Sequence, residues 1–344
     1  MQNKNITSFY ENIVNECDFP IDCKQGIYLS LLGCLGKNVA YAGAIWPWTF
    51  YYKPRFDAFD IRANLLIDIK NALTIDSIKE NFNVELVYYF FNKYTEMMKC
   101  IYQNIKRDIP IIVNTDQYYV PYHKEFIYRR IHGLHAMLLM GYNDEKAEAL
   151  CFSVTPEYKG AIPYNELYES IKNSAVLWCA VMKPGISVAD EKTDEDVFDH
   201  FQQEIDKVLR EYEENKKPLL EPNKQIYTKD ILTVFSQCSE TDDENTFQNL
   251  KVLCDGRWGW EINTNINLFV KYLQTVYVSG QYRNISNILK MIAEYQQKWN
   301  IIYRKMYKGL RKRPQDIKKE AEVFMDDFKR LIDCEKTIMK YLIT

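Results

Sequence analysis

Histidine is scarce: the 344 residues hold four, at positions 123, 132, 135 and 200. Imidazole chemistry near neutral pH therefore has few candidates. The nine cysteines (Cys17, Cys23, Cys34, Cys100, Cys151, Cys179, Cys238, Cys254 and Cys334) are odd in number and include no CxxC pair. No cysteine–histidine cluster has zinc-ligand spacing, so neither a disulfide framework nor a metal site is expected. The charges nearly balance, at net −3, which gives no general attraction to nucleic acid. No apolar stretch approaches the length of a membrane span, and the N-terminus, MQNKNITSFYEN, carries no apolar signal segment. The expectation is a reduced, cytoplasmic protein with neither nucleic-acid nor membrane partners. Repeats of 20–50 residues and low-complexity tracts are missing as well.

The remainder is an ordinary soluble mixture, 47% hydrophobic and 26% charged, long enough for two domains. Its chemistry centres on FPIDCKQGIYLSLLGCL, from Phe19 to Leu35. Ile27, Leu31 and Cys34 recur at helical spacing with Leu32 and Leu35 beside them. Asp22 fits an N-cap, which puts Cys23 in the first turn of a helix that ends near Gly36. Free backbone N–H groups and the helix dipole there predict a thiol pKa below the usual value of about 8.5. A cysteine that opens a buried helix, followed by a histidine on a later strand, is the papain-type arrangement. A small buried residue in a first turn has the same pattern.

Residues 1–18 read as a lead-in helix with Phe9, Ile13 and Val14 on one face. The aromatic, loop-like stretch from Asn38 to Phe59 holds Trp46, Trp48 and Tyr51. It suits a core plug or the wall of an apolar pocket equally. Strands are expected at Val84–Phe90, Pro110–Asp116, His135–Tyr142, Leu150–Val154 and Val176–Met182, with helices at Lys93–Arg107 and Pro163–Lys172. Character changes after Gly185: an acidic run, an amphipathic helix, and a boundary at Pro218 and Pro222. Helical patterns follow from Tyr227, with Ile288, Ile292, Tyr295, Trp299 and Tyr303 on one face and Phe324, Phe328, Leu331 and Ile338 on another. The expected class is α+β: a catalytic domain over 1–185 (nucleophile helix plus mostly antiparallel sheet), a charged linker and helix over 186–225, and an all-α bundle of about five helices over 226–344.

Of the histidines, His200 falls in a charged helix and His123 and His132 in a polar loop. His135 stands where that loop enters a strand, held by the sheet yet next to loops, as a general base should be. A structural strand-entry histidine would look the same. Asp116, at the end of a buried strand, suits pairing with an ammonium or capping of the next turn. The run Lys305, Lys308, Arg311, Lys312 and Arg313 suits a docking patch for an acidic partner, centred on Lys308, Arg311 and Lys312, or the cations that a helix C-terminus favours.

Several stretches carry a family resemblance. DCKQGIYLSLLGCLGKNVAYAGAIWPWTFYY resembles the start of the domain found in the butirosin-biosynthesis acyltransferase and its relatives. IIVNTDQYYVPY, HGLHAMLLMGYND and TPEYKGAIPYNELYESI resemble that domain's second half. The helical C-terminal half is similar in layout. The resemblance implies a papain-like fold and transfer of an acyl group from an acyl or peptidyl carrier protein's thioester to a small amine or diamine. A narrower resemblance is to the amide-forming branch that couples thioamide chains to a diamine in closthioamide assembly. The implied machinery needs no cofactor of its own, because the phosphopantetheine arrives on the carrier. It makes Cys23 the nucleophile and His135 the base. It leaves Asp116, Tyr122, His132, Trp46, Trp48 and Tyr51 as substrate contacts. The family's orienting aspartate, before the proline at a strand end, is replaced by Thr155. Either Thr155 orients His135, or Asn143, Asp144 or Glu157 does, or the triad is a dyad. A cysteine hydrolase on the same machinery and a catalytically inactive binding module are the competing readings.

Overall fold

The computed structural model describes residues 4–19, 21–52, 67–69, 72–124, 126–184, 193–214, 225–231, 233, 257–278, 280, 284–309 and 314–343. In chain order its elements begin with β1 (Lys4–Ile6), α1 (Phe9–Asn12), α2 (Cys23–Cys34), β2 (Thr49–Tyr52), β3 (Ile67–Ile69), α3 (Ile75–Phe82) and β4 (Val84–Phe90). Then come α4 (Tyr94–Ile105), β5 (Ile111–Asp116), β6 (Leu134–Asn143), β7 (Glu148–Val154), β8 (Glu157–Pro163), α5 (Tyr164–Lys172) and β9 (Trp178–Pro184). The last are α6 (Asp194–Glu213), β10 (Gln225–Tyr227), α7 (Arg257–Val278), α8 (Ile285–Gly309) and α9 (Pro314–Ile343). The class is α+β, and the chain divides into two compact units, residues 1–39 with 75–192 and residues 40–74 with 193–344.

The first unit is built on a seven-stranded sheet, ordered β4-β9-β5-β6-β7-β8, with β1 also paired to β6. Every pairing in it is antiparallel. β6 is its central strand. β5 lies along it from Leu134 to Leu139, and β7 joins from Leu138 onward on the other side. One face of the sheet is apolar and covered by Met97, Ile101 and Ile105 of α4 and by Leu167 and Ile171 of α5, packed on Val113, Met137, Leu139 and Cys151. The strands expected from pattern are all present, because buried strands with β-branched and apolar residues need only local composition to declare themselves. The helix expected over residues 1–18 is not: β1 pairs with β6 and only one turn of helix follows. Ile13 is buried while Val14 is exposed, so the apparent apolar face is a single anchoring side chain.

α2 forms as its sequence requires. The Asp22 carboxylate accepts the N–H groups of Lys24 and Gln25, each at 3.0 Å, a cap worth about 1 kcal/mol. The helix ends at Gly36, whose φ of 71° is left-handed. There Lys37 N–H reaches Leu32 O at 3.0 Å and Gly36 N–H reaches Gly33 O at 2.9 Å, the Schellman pattern that favours glycine. Residues Gln25 to Leu32 are all buried. A Cβ on Gly26 would lie 2.7 Å from Val154 Cγ1, so only glycine lets the helix approach β7 this closely.

In the second unit α6 packs on α9, α9 on α8 and α8 on α7. Ile288, Ile292, Tyr295, Trp299, Phe324, Phe328, Leu331 and Ile338 are buried, as their spacing predicts, while Tyr303, expected on the same face, is half-buried. This half is not all-α: β10, β2 and β3 form a three-stranded antiparallel sheet. Gln225–Tyr227 pairs with Thr49–Tyr51, so this strand exists through a partner far away in sequence, which local periodicity does not reveal. Residues 40–74 belong to this unit, and the side chains of Trp46, Trp48 and Phe50 are buried in its core. Trp46 and Trp48 stand edge to face at 4.6 Å, and Trp48 lies 4.2 Å from Tyr295. A Cβ on Gly43 would strike the Leu268 carbonyl oxygen at 1.9 Å, so the segment meets the backbone of α7. The boundary expected at Pro218 and Pro222, and Gly185, lie outside the described residues.

Glu335 of α9 is fully buried. It accepts the hydroxyls of Thr228 at 2.6 Å, Tyr295 at 2.5 Å and Tyr212. Burial pushes its carboxyl up from 4.5 to about 7, and the three hydroxyls offset part of that rise. The folded protein therefore keeps a proton that the unfolded chain releases near pH 4.5. Its stability should fall as pH rises from there to about 7, by roughly 3 kcal/mol from this group. Glu335→Gln should flatten that fall in melts recorded across pH 4.5 to 8. An unchanged slope would mean that the carboxyl does not titrate in this window.

Candidate active site

Cys23 is the first residue of α2, and its sulfur accepts the N–H of Ala136 on β6 at 3.3 Å. β7 pairs with β6 only from Leu138, so at Ala136 that edge of the strand is open and the sulfur takes the exposed donor. Ala136 follows His135 directly. β6 thus carries the imidazole and, on the next residue, the N–H that the thiol accepts. Thr115 Oγ1 donates to the His135 carbonyl at 3.0 Å and pins the strand there.

His135 is buried. Its Nε2 lies 2.9 Å from Tyr122 Oη and 3.4 Å from Ser153 Oγ. The His123 ring stands edge to face with it at 4.5 Å. Both ring nitrogens of His123 are buried without a hydrogen-bond partner. Burial lowers the His123 pKa to about 4. Burial, and then the neighbouring His123, lower His135 to about 3. Both rings are therefore neutral at physiological pH.

The thiol does not follow the expectation drawn from its helix position. Its pKa is pushed up to about 11, first by burial and then by the Asp22 charge, while the N–H groups of Ala136 and Lys24 offset part of the rise. The physical reason is burial first, which the helix position does not reveal, and then the Asp22 charge beside the sulfur, which opposes a thiolate more than the Ala136 and Lys24 N–H groups favour one.

Thr155 does not reach His135: its hydroxyl donates to the Ile21 carbonyl at 2.9 Å, tying the end of β7 to the segment before α2. The other orienters considered are also engaged elsewhere. Asn143 accepts the N–H groups of Glu145 and Lys146, Asp144 accepts the Tyr164 hydroxyl, and Glu157 accepts from Asn15. Asp116 is spent as well. Its Oδ1 accepts the N–H groups of Tyr118 and Gly133, both at 3.1 Å, and its Oδ2 lies 2.6 Å from His132 Nδ1. That is the turn-capping role rather than an open carboxylate. The His132 ring is largely exposed and stacks on Tyr118 at 4.3 Å.

Trp46 and Trp48 are fully buried in the second unit. Their place is the core-plug alternative, not a pocket wall, because Phe269 and Tyr295 close over them. Tyr51 contributes backbone to β2, and its side chain lies outside the described residues, as do Arg311 and Lys312. Lys308 is exposed in the last turn of α8. Among the described residues no group of three metal-ligating side chains gathers, and no helix is long and apolar enough to cross a membrane. Sequence reasoning missed Ser153 and His123. Ser153 could have been found two residues before Thr155 on the hairpin partner of β6. His123 carries no signal, because a histidine in a polar loop looks solvated.

The fold and site define an antiparallel α+β unit that brings a helix-opening cysteine and a buried histidine to one strand. Residues 46–152 match the family model described as butirosin biosynthesis protein H, N-terminal, which supports the acyltransferase-family resemblance of the motifs. The matched span includes Asp116, Tyr122, His132 and His135 and starts after α2. No curated protein matches the chain.

Asp22→Asn keeps an oxygen for the cap and removes the charge. The Cys23 pKa should then fall, and alkylation of Cys23 by iodoacetamide at pH 8 should quicken by up to about tenfold for each unit of fall. Peptide mapping separates Cys23 from the other cysteines. An unchanged rate would mean that the Asp22 charge does not act on the thiol.

Proposed function

We propose that the chain acts in butirosin-type biosynthesis as an acyltransferase, moving an acyl group from a carrier-protein thioester through Cys23 to a small amine. The observation that carries this reading is the convergence of Cys23 and His135 on β6. The family match supports a carrier protein as the donor. A diamine acceptor and a thioamidated, peptide-like acyl chain are the narrower form of the same proposal.

Because thiol and imidazole are both neutral at rest, proton transfer accompanies attack. The sulfur attacks the thioester carbonyl carbon as its proton passes to His135, acting as general base. The carbonyl oxygen becomes an oxyanion. The backbone N–H of Cys23, which takes no part in the Asp22 cap, serves as a donor to it. The intermediate collapses, the carrier's thiolate leaves with the proton from the imidazolium, and an acyl–Cys23 thioester remains. The amine attacks this thioester, the Cys23 sulfur leaves, and amide and free thiol result. Burial of the sulfur disfavours hydrolysis of the acyl-enzyme.

One observation favours a second reading. A raised thiol, a depressed imidazole and a Thr155 turned to Ile21 suit a binding module that has lost its catalytic poise.

Incubation with an acyl thioester of a carrier protein, followed by intact-mass measurement, tests both. The expected result is one acyl adduct, lost in Cys23→Ala, formed about 10²–10⁴-fold more slowly in His135→Ala, and discharged faster when an amine is added. His132→Ala should cost much less. No adduct would overturn acyl transfer in favour of the binding module, and discharge by water alone would indicate a hydrolase.

A further inference from the structure

Thr155 stands where the resemblance implies the orienting third member, yet its hydroxyl is committed to the Ile21 carbonyl. The polar atoms on His135 Nε2 come instead from Tyr122, at 2.9 Å, and Ser153, at 3.4 Å. We propose that Tyr122 is the positioning residue for His135, its phenol oxygen accepting the Nε2–H and so leaving Nδ1 as the basic nitrogen.

The surroundings suit this role. Tyr122 is clamped by its own packing: its ring stacks on Tyr158 at 4.4 Å with 14° between the planes, and on His123 at 5.4 Å. An orienter held this way fixes the imidazole plane without strain on β6, as a supporting residue must. Ser153 hydrogen-bonds to the phenol, and its hydroxyl, able to donate or accept, can turn to take the Tyr122 proton when the phenol oxygen accepts from His135. Burial keeps the phenol protonated. The orienter is thus a neutral dipole. It selects the tautomer and holds the ring, but it stabilises imidazolium less than a carboxylate does. When a proton arrives at Nδ1, the Nε2–H bond to Tyr122 is already in place.

Two measurements test the assignment. With ring-¹⁵N histidine there are four residues to resolve, and His135→Gln assigns the signal. The wild type should show the Nε2–H tautomer at His135. Tyr122→Phe, which keeps the stacking and removes the acceptor, should give a tautomer mixture, whereas Thr155→Val should leave the wild-type form. In single-turnover acylation, which rests on the acyl-transfer reading, Tyr122→Phe should lower the rate constant about 10- to 100-fold with the half-saturating thioester concentration unchanged. A wild-type Nδ1–H tautomer, or a tautomer that responds to Thr155→Val and not to Tyr122→Phe, would overturn the proposal. If Tyr122→Phe does not fold, the wild-type spectrum decides by itself. If the wild type is never acylated, the acyl-transfer reading falls while the tautomer still answers for Tyr122.

Discussion

One hydrogen bond, from Ala136 N–H to Cys23 Sγ at 3.3 Å, joins the two halves of the candidate site. It exists because β6 is paired along one edge by β5 while β7 joins the other edge only from Leu138. A buried backbone donor left over at such a step must find an acceptor. Here the acceptor is a thiol, brought there by a helix that can approach β7 only through Gly26. Moving the start of the β7 ladder two residues would satisfy Ala136 N–H with a carbonyl and leave the sulfur without its donor. The register of β6, more than any single side chain, therefore decides whether the sulfur meets the N–H next to His135.

The same cap that builds the helix works against the thiolate. Asp22 accepts two N–H groups and stabilises α2, while its charge, after burial, holds the thiol pKa up. The Lys24 amide serves both the cap and the sulfur, so it is the charge of the cap that opposes the thiolate. Any cysteine one residue after an aspartate cap meets this conflict. A threonine or serine cap would satisfy the helix without adding an opposing charge.

Much of the first unit was legible because its signals are local. Val84–Phe90 and Ile111–Asp116 are apolar runs bounded by turn residues, and the FPIDCKQG opening spells out a cap followed by a buried helix. Cys23 and His135 were legible as a pair for the same reason: each sits at the end of a strongly patterned element. What was not legible depends on distant partners. β1 exists because β6 has a free edge, and β10 because β2 offers one. Trp46 and Trp48 read equally as core or pocket wall until the helices that cover them are placed. The thiol's acidity depends on burial, a tertiary quantity, and on a balance between the Asp22 charge and the N–H groups that helix position alone does not resolve. Thr155 misled because its position before Pro156 is shared with an orienter, while its short hydroxyl finds a nearer acceptor in the Ile21 carbonyl.

The protonation states bear on how such a site would separate acyl transfer from hydrolysis. A preformed thiolate–imidazolium pair is reactive before substrate arrives and needs a charged orienter to hold the imidazolium. A neutral pair is quiet at rest and becomes nucleophilic only as the proton moves in concert with attack. Burial sets this order here, since it raises the thiol and depresses His135 together. Water faces the same barrier, because His135 as a weak base activates an unpositioned water poorly. An amine needs less help once neutral, being the stronger nucleophile. A dry site with a weak base thus favours aminolysis over hydrolysis without a dedicated carboxylate, consistent with Asp116 being occupied by His132, Tyr118 and Gly133 rather than open to an ammonium. In the proposed acyl transfer, selection between amine and water would rest on the greater nucleophilicity of the amine and on exclusion of solvent from the buried sulfur.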